Sequence, residues 1–69
     1  MITYKLDDQE YIELFKLIKI LDLVDSGAQA KIIISEGHVL RNGEVETRKR
    51  AKIVSGETLK IADVIIEVS

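Results

Sequence analysis

The order of apolar and polar positions divides the chain into short segments of two different periods. Ile2, Tyr4 and Leu6 alternate with Thr3 and Lys5, the period of two that a half-buried strand requires. Past Asp7 and Asp8 the period lengthens. Tyr11, Leu14, Phe15, Ile18 and Leu21 recur at helical spacing, with Glu10, Glu13 and Lys16 opposite them, which predicts a helix over 9–21 capped by Asp7 or Asp8. Tyr11 and Phe15 then read as core, and Glu13 and Lys16 as an i,i+3 ion pair. After a short connection over 22–25, Ser26 and Gln29 have the spacing of a capping box. The serine oxygen takes the Gln29 amide, and the glutamine side chain returns to the serine amide. The second helix is expected to run to Glu36 with Ala30, Ile33 and Ile34 inward and Lys31 and Ser35 outward, stopped by Gly37 in the left-handed region.

Strands dominate the remainder. His38–Arg41 and Glu44–Glu46 flank Asn42-Gly43, a pair suited to a type I′ turn, which needs positive φ at both central residues. Thr47 to Lys52 has no apolar period and carries four bases. Ile53-Val54 reads as a short strand, 55–57 as a turn, Thr58 to Ile61 as a strand, Ala62-Asp63 as a turn, and Val64 to Val68 as the last strand. A strand, two helices and a small curled, mostly antiparallel sheet make an α+β fold. With 69 residues the whole chain, 1–69, is expected to be one domain, and one this small buries only about 60% of its unfolded surface.

Composition narrows the chemistry. The chain contains no cysteine and one histidine, His38, so disulfides and thiolate metal sites are excluded and a histidine zinc site would need carboxylates to complete it. Gly27, Gly37, Gly43 and Gly56 stand singly and encode no phosphate-cradling loop. Neither Ser26 nor Ser35 sits in a nucleophile motif. No enzymatic activity and no cofactor are therefore expected. A ubiquitin-like sulfur carrier would end on Gly-Gly, and this chain ends Glu67-Val68-Ser69. No apolar run approaches the roughly 20 residues of a membrane span, and the N-terminus lacks a signal-peptide pattern. The expectation is a soluble, cytoplasmic monomer.

Net charge is −2, but its distribution is uneven. Met1–Ser26 carries three lysines against six acids, Gly27–Lys52 six bases against three acids, and Ile53–Ser69 one lysine against three acids. Local field steers a polyanion over a Debye length of about 8 Å. If the second helix and the hairpin pack side by side, Lys31, Arg41, Arg48, Lys49, Arg50 and Lys52 share one face, suited to phosphates. The free amides at the start of the second helix, around Ser26 and Gln29, attract the same group. Aromatics make up 4% of the chain, too few for stacking along a single strand. Shape and phosphate recognition of folded RNA fits better. The same basic face could instead meet an acidic protein.

Ser26, Ala30-Lys31, Ile34, Glu36-Gly37, Val39, Asn42-Gly43, the basic segment, Gly56-Glu57 and Ile61 together resemble the S4-type RNA-binding domain, also called the alpha-L motif. The resemblance covers about Tyr11 to Ile61. The runs Ser26–Lys31 and Glu46–Val54 are most similar to its small free-standing bacterial members of the YbcJ type. It implies an L-shaped pair of helices against a hairpin and small sheet. It also implies binding of structured RNA such as ribosomal RNA, with ribosomal proteins as further partners and a role in translation or ribosome assembly. Where that family usually has a base directly after the capping serine, this chain has Gly27. The expected contacts therefore shift to Lys31, Arg41 and 48–52, with Ser26 and Gln29 at the helix start and Asn42 at the turn completing the candidate surface.

Overall fold

A computed structural model describes residues 1–69. In chain order the elements are β1 (Ile2–Tyr4), β2 (Ile12–Glu13), α1 (Leu14–Ile20), α2 (Gly27–Ser35), β3 (Val39–Arg41), β4 (Glu44–Val45), β5 (Lys52–Ile53), β6 (Thr58–Ile61) and β7 (Val64–Val68). Five strands form one sheet in the order β1-β7-β6-β3-β4, and β2 pairs with β5 in a separate ribbon. Only β1 runs parallel to its neighbour, with Ile2 opposite Ile66 and Tyr4 opposite Val68; every other pair is antiparallel. The α+β fold expected from the sequence is the one observed.

Alternation sorts the sheet. Leu59 and Ile61 of β6 and Ile66 and Val68 of β7 are buried, while Thr58, Lys60, Ile65 and Glu67 are exposed. Onto the buried face pack Leu14, Leu17 and Ile18 of α1 and Ala30 and Ile34 of α2, and Val39 and Ile53 close the core. Fourteen buried apolar residues form this one cluster. At about 2 kcal/mol per large aliphatic side chain it is the main source of stability.

The local signals of the second helix hold at both ends, with one departure in the capping box. Ser26 Oγ accepts from the Gln29 amide at 3.2 Å. The glutamine side chain accepts from the Asp25 amide at 3.0 Å, one residue earlier than a reciprocal capping box would have it. At the other end Gly37 takes φ +84°, its amide donates to the Ile34 carbonyl and that of His38 to the Ile33 carbonyl, a Schellman stop. Asn42 and Gly43 both have positive φ, as the type I′ turn demands.

The first helix differs from expectation. It begins at Leu14, not at Gln9, and no side chain caps it. Asp7, expected as a cap, lies in the left-handed region at φ 56°. Residues 12–13 are instead a strand, with Ile12 opposite Ile53 and Glu13 opposite Lys52. The first two helical amides, of Leu14 and Phe15, donate to the carbonyls of Ala51 at 3.0 Å and Lys49 at 3.1 Å. A distant segment supplies the capping acceptors, so the helix starts where that segment reaches it. The same pairing places Ile53 in the β2–β5 ribbon and not in the main sheet.

Candidate nucleic-acid interface

The pairing of β2 and the start of α1 with residues 49–53 fixes where the basic run lies. Its backbone is tied to the first helix, and its side chains project beside those of α1 and α2. Lys31, on α2, places its ammonium 4.9 Å from the centroid of the Phe15 ring. The Arg50 guanidinium lies 6.0 Å from the same centroid. Lys52 holds its ammonium 5.0 Å from the Tyr11 ring. Each such contact contributes about 0.5–1 kcal/mol at an exposed site and, more usefully, fixes where the cation sits. Arg41, Arg48, Arg50 and Lys52 line one open groove together with Ala51.

Not every expected cation is free. Arg41 turns away from the hairpin tip. Its Nε and Nη2 donate to the two carboxylate oxygens of Glu57 at 2.6 and 2.8 Å, Nη1 to Glu46 at 3.1 Å, and Nη2 also to the Lys52 carbonyl at 2.8 Å. Only 21% of the side chain is exposed. Hydrogen bonds that Arg41 donates to Glu57 and Glu46 outweigh partial burial and raise its pKa above its ordinary value. Asn42 joins the same network: its amide donates to Glu57 at 2.9 Å and its carbonyl oxygen accepts from the Thr58 amide at 2.9 Å. Arg41 and Asn42 therefore act as struts holding the hairpin to the β5–β6 connection. Arg41 thus lines the groove with the other cations, as expected, but with its guanidinium bonded to Glu57 and Glu46.

Glu46 is the second node. It is buried and accepts from both the backbone amide and the guanidinium of Arg48 at 3.0–3.1 Å, as well as from Arg41. Hydrogen bonds from Arg48, then from Arg41, pull its carboxyl down to about 2 against the burial that would raise it. Arg48 is raised in turn by Glu46. Its side chain is still 73% exposed, so one edge of the guanidinium is held and the other faces solvent. Glu57 is likewise lowered, first by Arg41.

Ser26 and Gln29 cap α2 and do not line the groove. Lys49 is exposed, and Arg50 lies 4.0 Å from Glu13, too long for a strong pair. The cations brought together with a free edge are thus Lys31, Arg48, Arg50 and Lys52, with the exposed Lys49 adjacent to them in sequence. The sequence reading missed Glu46, Glu57 and Glu13 as organisers of this face, and nothing in their local pattern marks them. It also assigned Tyr11 to the core. Tyr11 is 40% exposed, because strand alternation turns it outward while Ile12 turns in. Phe15 is half-buried and roofed by cations.

Comparison with known proteins bears on this arrangement. A family model described as the S4 domain matches residues 4–69. The chain is 47% identical over 68 residues to YbcJ of Escherichia coli, covering 99% of this chain and 97% of that protein. It is 37% identical over 54 residues, 78% of this chain and 76% of the relative, to the probable ribosome maturation protein RlbA of Bacillus subtilis. The solution structure of YbcJ, described as revealing an alpha-L motif involved in RNA binding, superposes with a TM-score of 0.75 over 99% of this chain and 86% of that one. Two helices set against a hairpin and a mostly antiparallel sheet are common to both, and this chain belongs to the S4 domain family.

Proposed function

We propose that the protein binds structured RNA, ribosomal RNA or the ribosome itself, through the face made by Lys31, Arg48, Lys49, Arg50 and Lys52, and that it acts by binding and not by catalysis. The observation that carries this reading is the meeting of Lys31 from α2 and Arg50 from the basic run at the single Phe15 ring. Cations from segments far apart in sequence thereby form one surface in a chain whose net charge is negative. Membership of the S4 domain family supports an RNA ligand, and the likeness to a ribosome maturation protein supports a ribosomal one. Ser26, Gln29, Arg41 and Asn42 serve this function as scaffold, by fixing α2 and the hairpin. The site of action is the cytoplasm, and the active form is a monomer.

Fluorescence anisotropy with ribosomal RNA fragments at several salt concentrations tests the reading. Affinity should fall with salt, and each phosphate contact removed should lower the slope by about one unit. The triple variant Arg48→Ala/Lys49→Ala/Arg50→Ala should lose most of the binding while keeping the fold. Unchanged affinity in that variant would reject the surface. An acidic protein partner is the competing outcome: a complex captured from lysate that survives nuclease treatment would favour it.

A further inference from the structure

The β2–β5 ribbon has one face in the core and one in solvent. Ile12 and Ile53, opposite each other, are buried. The alternation turns Tyr11, Lys52 and Val54 outward, and Tyr11 and Val54 are 40% and 41% exposed. A tyrosine left half open, next to an exposed valine and 5.0 Å from a lysine ammonium, sits at the margin of the cationic face. The other two aromatic residues are not available in this way. Phe15 is covered by two cations, Lys31 and Arg50, where Tyr11 carries the single Lys52 ammonium over its ring, and Tyr4 packs against the core from β1.

We propose that Tyr11 is a stacking platform for a single unpaired nucleobase, with Lys52 taking the phosphate beside it. The proposal rests on the reading of the surrounding face as an RNA surface and names the RNA class that face selects: a duplex interrupted by an unpaired nucleotide, such as a bulge, junction or overhang. The ring carries the Lys52 ammonium over one face and leaves the other for a base, so ring and ammonium together complement a nucleotide's flat base and its phosphate. Stacking tolerates any base because every base has a π-face. RNA recognition turns most often to such unstacked nucleotides, since the grooves of the helix are hard to read. Tyr11 is ready for the role because its neighbour Ile12 is anchored by strand pairing, and a tyrosine has few rotors to immobilise. One free ring permits one base, which distinguishes this surface from a single-strand binder.

The test compares two RNAs with the full-length protein: a short blunt duplex, and the same duplex with a single-nucleotide bulge carrying a fluorescent base analogue. The wild-type protein should prefer the bulged RNA by about tenfold, the size of one base–aromatic stack, and should change the analogue's fluorescence on binding. Tyr11→Leu should abolish both effects, while affinity for the blunt duplex falls by no more than the few-fold that releasing Lys52 from the ring allows. Tyr11→Phe should keep both, and its melting temperature controls for the ribbon. Wild-type preference and fluorescence change surviving in Tyr11→Leu would overturn the platform. So would equal wild-type affinity for the two RNAs, which would leave the phosphate-binding face itself intact. Failure of the wild-type protein to bind either RNA would instead strike the parent reading.

Discussion

Arg41 and Glu57 meet fork to fork across 16 residues of chain, with Nε and Nη2 on the two carboxylate oxygens at 2.6 and 2.8 Å. Gly56, at φ +93°, makes the turn that brings Glu57 to this position. The carboxylate also accepts the Val54 amide at 2.9 Å. Parallel paired bonds of this kind are the stronger class of ionic hydrogen bond, and here they join the hairpin to the β5–β6 connection.

Replacing Arg41 by alanine should therefore act on folding more than on ligand binding. Two largely covered carboxylates, Glu46 and Glu57, would lose a shared partner, at a cost of about 2 kcal/mol or more. In a domain of this size that lowers the melting temperature by roughly 10 °C. Arg41→Lys should recover little, because an ammonium cannot reproduce the fork. Thermal melts followed by circular dichroism decide it, and a melting temperature unchanged in Arg41→Ala would show that the network is dispensable.

The same carboxylates set an acid limit. Glu46 falls from 4.5 to about 2 on folding, and Glu57 is also lowered. A depressed carboxyl contributes stability that is complete above its unfolded value and is lost as pH falls toward its folded one. Urea midpoints should thus be flat from neutral pH to about 5 and decline between about 4.5 and 2, with Glu46 contributing on the order of 3 kcal/mol at most. In Glu46→Gln that decline should be visibly shallower, since the glutamine does not titrate.

Glu46 also makes an unusual prediction for RNA affinity. Removing an acid from a cationic face should strengthen binding to a polyanion by simple electrostatics. Glu46, however, holds Arg48 by both its backbone amide and its guanidinium. Glu46→Gln should weaken binding severalfold despite the added positive charge, whereas Glu44→Gln, at an exposed position on the same hairpin, should strengthen it slightly. Anisotropy titrations of the two variants side by side give the comparison. Equal strengthening in both would mean that Arg48 needs no positioning.

Amide hydrogen exchange offers a check on the first helix. The opening amides of a helix ordinarily exchange fast because they have no intrahelical acceptor. Those of Leu14 and Phe15 are bonded to Ala51 and Lys49 and should be protected. Nuclear Overhauser contacts from the Leu14 and Phe15 amides to residues 49–51 would distinguish the observed start from a helix beginning at residue 9, in which those amides would bond to the carbonyls of Glu10 and Tyr11.

How legible this fold was depended on how far apart the deciding residues stand. Ser26 with Gln29, Gly37 and Asn42-Gly43 act within a few residues, and each formed the cap, stop or turn their chemistry requires. Strand β6 alternates both in sequence and in burial, whereas β7 alternates in burial although Val64, Ile65 and Ile66 are all apolar. Residues 9–13 failed because Tyr11, Leu14, Phe15 and Ile18 satisfy a helical spacing whether or not the first turn forms. The choice was made by carbonyls at 49 and 51, some 35 residues away, which no local pattern reports. The site divides the same way. That bases cluster in 48–52 is written in the sequence, but that Arg41 is spent on Glu57 while Lys31 reaches Phe15 depends on tertiary contacts alone.

The bonds from Leu14 and Phe15 to the basic run have one more consequence. A cationic loop that dangled freely would have to freeze on meeting its ligand, and that loss of freedom would be charged against affinity. Here the backbone is already stitched to a buried helix, so only the outer ends of lysine and arginine side chains remain to be stilled. The protein meets its ligand as a preformed die and not as a closing hand.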